Sequence, residues 1–160
     1  MNPGKILVAK ETGVYVLKLF GDVRLTLCTA MDACLNDIVA DPDLESVYID
    51  LTDAQGIDST TFGFIAKISI MTKQRFNWQP TIVSTNEDIT KILLSMRFDE
   101  LFTIVDMPLD EFASLRQLQC QKMSESDAKD KVLEAHRILM QLNEQNREKF
   151  KELVTMLEAS

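Results

Sequence analysis

The hydrophobic pattern of the chain begins as that of strands and then alternates between helix and strand. Two β-rich runs, 6–9 and 14–20, flank a glycine-containing turn and predict a hairpin. Apolar residues recur at helical spacing over 27–39, and Asp41-Pro42-Asp43 ends that helix. The short apolar run 46–51 predicts a buried strand. The chain therefore starts with an antiparallel pair of strands and continues as a helix followed by a strand.

The alternation continues to about residue 120. A loop is expected at 53–56, followed by a helix from Ser59 to about Phe76 and a strand at 80–84. Thr85 or Asn86 caps the next predicted helix, and a strand follows at 102–105. Asp106 and Pro108 then open a fourth predicted helix, which contains Phe112, Leu115 and Leu118. Strands that alternate with helices predict parallel pairing through right-handed crossovers. The fold class is therefore α/β, with a mixed sheet of four to five strands packed with helices over residues 4–120.

The remaining segment, 121–160, is a predicted C-terminal amphipathic helical extension. Capping residues lie in the polar break at 123–127, and no glycine or proline follows before Leu157. The spacing predicts one long helix with a stripe of residues along one face. The stripe consists of Val132, Ala135, Leu139, Leu142, Asn146, Lys149, Leu153 and Met156. Phe150, Val154 and Leu157 broaden it near the end of the helix. A helix that packs on its own domain and one that dimerises or binds a partner fit this pattern equally well.

Composition and charge exclude several function classes. The 160 residues include 46% hydrophobic side chains, and their formal net charge of −8 opposes binding to nucleic acid or to an anionic membrane surface. No apolar run is long enough for a signal peptide or a membrane span, so a cytoplasmic protein is expected. Cys28, Cys34 and Cys120 with the single histidine, His136, do not form a zinc motif, and neither a metal nor another cofactor is expected.

Motifs for catalysis are missing from the chain, which predicts a protein that is not an enzyme. The sequence contains no GxGxxG, GxxxxGK[ST], GxSxG or HExxH pattern. His136 is interpreted as a solvated residue of the polar C-terminal helix, so a Ser-His-Asp arrangement has no evident base. Four acidic residues, Asp22, Asp50, Asp53 and Asp58, lie in predicted loops or at strand ends. We interpret them as caps and turn residues.

Three consecutive hydroxyl residues, 59–61, stand at the predicted start of the second helix. One of them is enough to cap the helix, whose N-terminus is also a favourable place for a phosphoryl group. The helix that follows is apolar on nearly every side. Its second apolar face is either a protein-docking surface beside a phosphorylatable hydroxyl or a surface that the C-terminal helix covers.

The motif that these hydroxyls belong to resembles the signature of the STAS domain anti-sigma factor antagonists. In that family a strand precedes a segment similar to 58–63, and Leu19-Phe20-Gly21-Asp22-Val23 is similar to the family's Leu-x-Gly-Glu/Asp element. The segments 47–51 and 86–102 resemble its buried third strand and its closing helix and strand. Thr61 and Phe62 depart from the usual Gly and Leu, and Met96-Arg97-Phe98 replaces the usual Ser/Thr-Gly-Leu.

The resemblance implies a phosphorylation switch that controls protein binding. Ser59 matches the phosphoacceptor serine, Asp58 the aspartate before it, and Thr60 the next Ser/Thr. The expected partner-binding residues are Asp22, Asp58, Ser59, Thr60, Thr61, Phe62 and Phe64. The unphosphorylated form binds an anti-sigma factor, often itself a serine kinase, and a PP2C-type phosphatase restores binding after phosphorylation.

The long C-terminal helix and the departures from the family pattern at Thr61, Phe62 and 96–98 resemble those of one member of the family, which is linked to motility and biofilm formation. A flagellar-type anti-sigma factor is therefore a candidate partner, and a signalling enzyme is a candidate partner of the C-terminal helix. The alternative is a module for small-ligand sensing or scaffolding, with a pocket at the C-terminal ends of the parallel strands.

Overall fold

The computed structural model describes residues 3–107 and 115–160. Its strands are β1 (Lys5–Glu11), β2 (Val14–Val23), β3 (Ser46–Asp50), β4 (Ala54–Ile57), β5 (Thr81–Val83), β6 (Thr103–Val105) and β7 (Arg116–Gln117). Its α-helices are α1 (Cys28–Ala40), α2 (Ser59–Phe76), α3 (Glu87–Ser95), α4 (Glu125–Leu142) and α5 (Glu144–Ala159). Short 3₁₀ turns occupy Leu25–Leu27 and Phe98–Glu100.

The strands form one mixed sheet, which confirms the predicted α/β class. Over residues 3–107 and 115–160 the sheet has seven strands in the order β6-β5-β3-β2-β1-β7, with β4 paired to β2. The pairs β2/β3, β3/β5 and β5/β6 are parallel, whereas β1 lies antiparallel to both β2 and β7. The first hairpin, α1 and the helix at 59–76 therefore form where the hydrophobic pattern predicts them.

Two short strands were not predicted. The segment 54–57 is strand β4 rather than a loop, and Arg116–Gln117 is strand β7 rather than part of the fourth helix. Neither segment has the alternation of apolar residues that marks a strand, because each is held by pairing to a strand formed elsewhere. The predicted helix residues 108–114 lie outside the described residues.

Strand β2 positions the start of α2 because its two halves have different neighbours. Val14–Lys18 pair with β3, whereas Gly21–Val23 pair with β4 after a shift in register. Gly21 has a φ of 72°, a conformation that glycine adopts without a steric penalty. The Asp58 amide then donates to the Val23 carbonyl, at 3.3 Å, so α2 begins beside the end of β2.

The apolar surface of α2 is buried on both sides. The helix contacts α1, and α4 lies along it. Phe62 and Phe64 are almost completely buried, and Ser69 donates its hydroxyl to the Leu101 carbonyl at 2.5 Å. Of the two interpretations of the second apolar face, the structure therefore favours coverage by the C-terminal segment.

The C-terminal segment is a hairpin of two helices rather than one long helix. A capping box of Ser124 and Asp127 starts α4, as the polar break predicts. Asn143 adopts an extended backbone between α4 and α5, and its side chain accepts a hydrogen bond from the Asn146 amide. Asparagine is a strong N-cap, so one residue ends the first helix and starts the second. Lys129, near the start of α4, donates to the carbonyl of Ser160, which shows that the two helices are antiparallel.

The break at Asn143 also changes which residues of the predicted stripe are buried. Ala135 and Leu139 are buried as predicted, but Leu153 and Met156 are exposed, the latter at 72%. The buried positions of α5 repeat every four residues, and they are Asn146, Phe150 and Val154. Beyond the turn the predicted stripe is confirmed at Asn146, Phe150 and Val154, whereas Lys149, Leu153 and Met156 are exposed because α5 starts a new helical phase.

The α4–α5 hairpin packs closely on the domain at two places. A Cβ on Gly63 of α2 would lie 2.5 Å from the Ala135 carbonyl oxygen and 2.6 Å from its Cβ, so the two helices meet with no room for a side chain. At the other end, the side-chain amides of Asn143 and Asn146 both donate to the Met96 carbonyl at 3.3 Å. The hairpin is therefore a third layer, with α2 between it and the sheet.

We predict that Gly63→Ala lowers the free energy of unfolding, measured by urea denaturation, by about 1–3 kcal/mol, because the added methyl overlaps the backbone of Ala135. In a helix without this neighbour the same change would stabilise by about 1 kcal/mol. Gln74→Ala, at an exposed position of α2, is the control and should change stability by less than about 0.5 kcal/mol. An increase in stability for Gly63→Ala would contradict the close packing of α4 on α2.

Candidate functional site

Asp58 caps the N-terminus of α2 and ties it to the preceding turn. Its Oδ1 accepts hydrogen bonds from the Thr61 amide at 2.8 Å and the Thr61 hydroxyl at 2.6 Å. Its Oδ2 accepts from the Leu25 amide at 2.8 Å. The carboxylate therefore satisfies one free amide of the first helical turn, and its negative charge is stabilised by the positive end of the helix dipole. Asp58, rather than a hydroxyl residue, is the cap, which leaves the Ser59 hydroxyl available for another contact.

The Ser59 hydroxyl binds a histidine from the C-terminal hairpin. Its Oγ lies 2.8 Å from Nε2 of His136, and Nδ1 of that ring lies 2.7 Å from the Val132 carbonyl oxygen. A carbonyl oxygen only accepts hydrogen bonds, so Nδ1 carries the proton and donates it. In a neutral imidazole Nε2 is then the acceptor, and Ser59 donates to it. The candidate phosphoacceptor is thus half-buried and engaged with α4.

His136 is the clearest departure from the sequence interpretation. It is 1% exposed, although a solvated residue was expected, and its ring meets the edge of Phe150 with the centroids 5.1 Å apart. Its position one residue after Ala135 and three before Leu139 places it on the buried side of α4. That spacing is the signal in the sequence that could have identified it.

The residues after Ser59 point into the protein. Thr60 and Thr61 are buried, and the Thr61 hydroxyl also lies 3.7 Å from the Cys28 sulfur. Phe62 meets Phe98 edge to face, with ring centroids 6.0 Å apart. Phe64 is fully buried. In this conformation these four side chains form the packing beneath the surface rather than the surface itself, so their expected contact with a partner remains a prediction.

Asp22 lies on the same side of the domain as the start of α2. Both of its carboxylate oxygens accept from Nε of Arg24, at 2.9 and 3.0 Å. A Cβ on Gly56 would lie 2.6 Å from Asp22 Oδ1, so the β4 backbone passes close to this carboxylate. Asp22 and Ser59 are thus brought together by the pairing of β2 with β4, and both are half-buried.

A charged cluster that sequence reasoning missed connects three helices. Asp32 of α1 accepts from Lys67 of α2 at 2.8 Å and from Lys131 of α4 at 2.7 Å. Lys67 also donates to Glu134 of α4 at 2.5 Å. The two ammonium groups lie 5.6 and 5.4 Å from the centre of the Phe64 ring, within the range of cation–π attraction. Nothing in the spacing of these residues along the chain indicates that they meet.

The lysines determine the protonation of this cluster. Burial alone would raise the pKa of Asp32, but hydrogen bonds from Lys131 and Lys67, together with their charge, lower that pKa below its usual value. Burial lowers the pKa of Lys67, but the hydrogen bonds that Lys67 donates to Asp32 and Glu134 outweigh burial and raise that pKa. Asp32 and Lys67 are therefore both ionised at neutral pH.

The cysteines fit the predicted role of core residues in part. Cys28 and Cys34 are buried, and burial raises the pKa of their thiols to about 12 and about 11, so both stay protonated. Cys120 is exposed and donates to the Thr26 carbonyl at 3.2 Å. Over residues 3–107 and 115–160, no group of three or more acidic, histidine or cysteine side chains is arranged to hold a metal ion.

A cleft of about 1240 Å³ runs along β6, from Gln79, Phe102 and Thr103 to the C-terminal ends of β5 and β6. It is lined by Ser84 and Thr85 after β5, by Val105 and Asp106 at the end of β6, and by Thr90 of α3, among others. The Ser84 and Thr90 hydroxyls bond each other at 2.7 Å. The cleft lies where the ligand-sensing alternative places a pocket, and Ser59 and His136 are not among its lining residues.

The family model of the STAS domain matches residues 5–110, which is more than half of the chain. The chain belongs to the STAS domain family. Among solved structures, the anti-sigma factor antagonist SpoIIAA in its unphosphorylated form matches with a TM-score of 0.54 and 12% sequence identity. The alignment covers 65% of this chain and 89% of that one.

The match to SpoIIAA shows a shared fold. A comparison with curated protein sequences gives no match. No helix within residues 3–107 and 115–160 is both long enough and apolar enough to cross a bilayer. The α4–α5 hairpin, 125–159, lies beyond the 5–110 segment that the family model matches.

We predict that acid weakens the attachment of α4 through Asp32. Because the pKa of Asp32 is lower in the folded protein, its contribution to stability is complete above the unfolded value of about 3.9 and is lost as the pH falls through the folded value. Asp32→Asn should reduce the free energy of unfolding at pH 7 by about 1–2 kcal/mol, since water partly reaches the lysines. It should also flatten the dependence of stability on pH below about 4.

Urea denaturation at several pH values measures both effects. Asp37→Asn, at an exposed position of the same helix, is the control and should behave as the wild-type chain does. An Asp32→Asn variant as stable as wild type at pH 7 would contradict the role assigned to the cluster.

Proposed function

We propose that this STAS protein is an anti-sigma factor antagonist whose binding is switched by phosphorylation of Ser59. The observation that supports it best is the geometry at the start of α2: Asp58 takes the cap, and the next residue presents a hydroxyl that the cap does not need. The fold shared with an antagonist recorded in its unphosphorylated form supports the same proposal.

The switch acts through charge at the domain surface. A phosphoryl group adds about −1.5 to −2 charge at pH 7. The N-terminus of α2 favours such a group, whereas Asp58 and the neighbouring Asp22 repel it. A partner that packs closely over the half-buried Asp22, Asp58 and Ser59 would have to bury this added charge and volume, which costs free energy. Binding is therefore strongest when Ser59 carries its hydroxyl.

The partners follow from the antagonist role. The proposed targets are an anti-sigma factor, which can itself be a serine kinase for Ser59, and a PP2C-type phosphatase that restores the hydroxyl. By the closer resemblance to the pseudomonad antagonist HsbA, the anti-sigma factor is of the flagellar type and the output is the choice between motility and biofilm. We place the protein in the cytoplasm and assign it binding rather than catalysis. The exposed Leu153 and Met156 of α5 are where a signalling enzyme would bind the hairpin.

We predict that phosphopeptide mapping of the protein purified from its native host finds phosphate on Ser59, with more of it when the phosphatase is removed. Ser59→Asp should reduce capture of the anti-sigma partner at least tenfold, about 1.4 kcal/mol. Ser59→Ala should retain capture that no longer responds to the kinase. Thr12→Asp adds the same charge in an exposed turn at the far end of β2 and is the matched control.

The proposal fails if Ser59, Thr60 and Thr61 are all free of phosphate after removal of the phosphatase. It also fails if Ser59→Asp and Ser59→Ala both bind the partner as wild type does. In that case Ser59 serves only the packing of α4.

The cleft beside β5 and β6 favours a second candidate function, the sensing of a small polar ligand. Its lining combines hydroxyl groups with the apolar edge of the sheet, as ligand sites commonly do. If this is the function, a nucleotide or metabolite at 100 times its dissociation constant stabilises the fold by about 2.7 kcal/mol. Thermal melting against a panel of such compounds should then reveal a shift that Ser84→Leu abolishes. An unchanged melting temperature across the panel removes this candidate.

A further inference from the structure

The contact between Ser59 and His136 has a consequence for phosphorylation. The hydroxyl proton of Ser59 is the one that His136 Nε2 accepts, because Nδ1 already donates to Val132. In phosphoryl transfer from ATP, Ser59 Oγ forms a bond to the γ-phosphorus, the bond from that phosphorus to the β–γ bridging oxygen breaks, ADP leaves, and the hydroxyl proton goes to a base of the kinase or to water. The Oγ atom of the product carries no proton for Nε2 to accept.

The surroundings of His136 leave little space for the new group. The ring is 1% exposed, with Phe150 against one side and the Val132 carbonyl at Nδ1. One turn further along α2, Gly63 lies against the backbone of Ala135. At that point α4 cannot move closer to α2, so it cannot tilt to make space for a phosphoryl group at Ser59. A phosphorus with three charged oxygens at Ser59 would face the unprotonated Nε2 lone pair at hydrogen-bond distance. Phosphate on Ser59 therefore disfavours the present position of α4.

We infer that the α4–α5 hairpin is a cap that stays docked over the start of α2 while Ser59 is unphosphorylated, and that phosphorylation of Ser59 releases it. The inference rests on the proposed function, since it takes Ser59 as the phosphoacceptor. The covered surface includes Ser59 and Gly63, and its occupant is α4 of the same chain. Because coupling between two equilibria is reciprocal, a docked hairpin also disfavours the phosphorylated state.

Release is feasible because polar contacts hold much of the hairpin in place. Four residues of α4 are buried, and they are Leu133, Ala135, His136 and Leu139. One of them, Ala135, is small, and another, His136, is polar. Further attachments include the bonds of Lys131 to Asp32, of Lys67 to Glu134 and of the two asparagines to the Met96 carbonyl, and α5 adds the buried Phe150 and Val154. Water can replace each of these bonds after release, whereas the apolar core between the sheet and α2 is retained by its other neighbours.

The test is hydrogen–deuterium exchange of the full-length chain with phosphoserine incorporated genetically at position 59. We expect the amides of 125–142 to exchange at least tenfold faster than in wild type, while β3 and β5 remain unchanged. Ser59→Ala, which removes the bond without adding volume, should stay near the wild-type rate. Phosphoserine in place of Thr12 adds the same group at the far end of β2 and should also leave α4 protected.

A second variant opens the hairpin without phosphate. Ala135→Leu places a large side chain against Gly63 and should speed exchange of 125–142 and of the first turn of α2. Gln141→Leu, at an exposed position of α4, is its control and should not. Wild-type protection of α4 in the phosphoserine-59 chain would overturn the inference, for example because a protonated His136 pairs with the phosphate. This outcome is separate from failure of the proposed function, which depends on phosphate being found at Ser59 in the native host.

Discussion

Helix α2 is apolar around nearly its whole circumference, and the architecture of the chain depends on that constraint. A surface helix in a two-layer α/β domain buries one face and solvates the other. Here the sheet and α1 account for one side, and the opposite side would expose a large apolar patch without a further layer. The α4–α5 hairpin supplies that layer, and Gly63 allows it to approach as closely as two helices can. The position of the hairpin is therefore set by α2 together with Asp32 of α1 and the Met96 carbonyl after α3.

Electrostatics then determine what happens where α2 begins. The Asp58 carboxylate fills the role of cap, so the adjacent hydroxyl is not needed for helix stability. That hydroxyl nevertheless has a partner, because His136 reaches it from the third layer. Asp58 thus caps the helix, and Ser59 presents the hydroxyl at its N-terminus. This separation allows one residue to change chemically without loss of the helix.

Much of the domain could be predicted because its signals are local. The hairpin at the start, α1 and the bounds of α2 follow from hydrophobic period and from residues such as Asp41 and Asp58 that end or begin helices. The position of Ser59 at the first turn of α2 follows in the same way. Strands β4 and β7 could not be predicted, since their short segments become strands only through pairing with β2 and β1.

The contacts that define the candidate site were not predictable, because they join residues far apart in the chain. Ser59 and His136 are 77 positions apart, and Asp32 and Lys131 are 99 apart. A polar residue on a helix is ordinarily solvated, and only the fold shows that His136 faces inward. The split of the C-terminal segment at Asn143 was overlooked for a related reason: asparagine fits a helix surface as well as a cap, and the contact with Met96 selects the cap.

The link between the domain and the hairpin, residues 118–124, is short enough to keep α4 at a high local concentration near α2. Tethered segments of this kind reach effective concentrations in the millimolar range. A competing helix from another protein meets α2 only in the fraction of molecules whose hairpin is open, so its apparent dissociation constant increases in inverse proportion to that fraction. Substitutions at Asn143 or Asn146, which anchor the far end of the hairpin, would thus tune the affinity for such a protein without touching the surface that it binds.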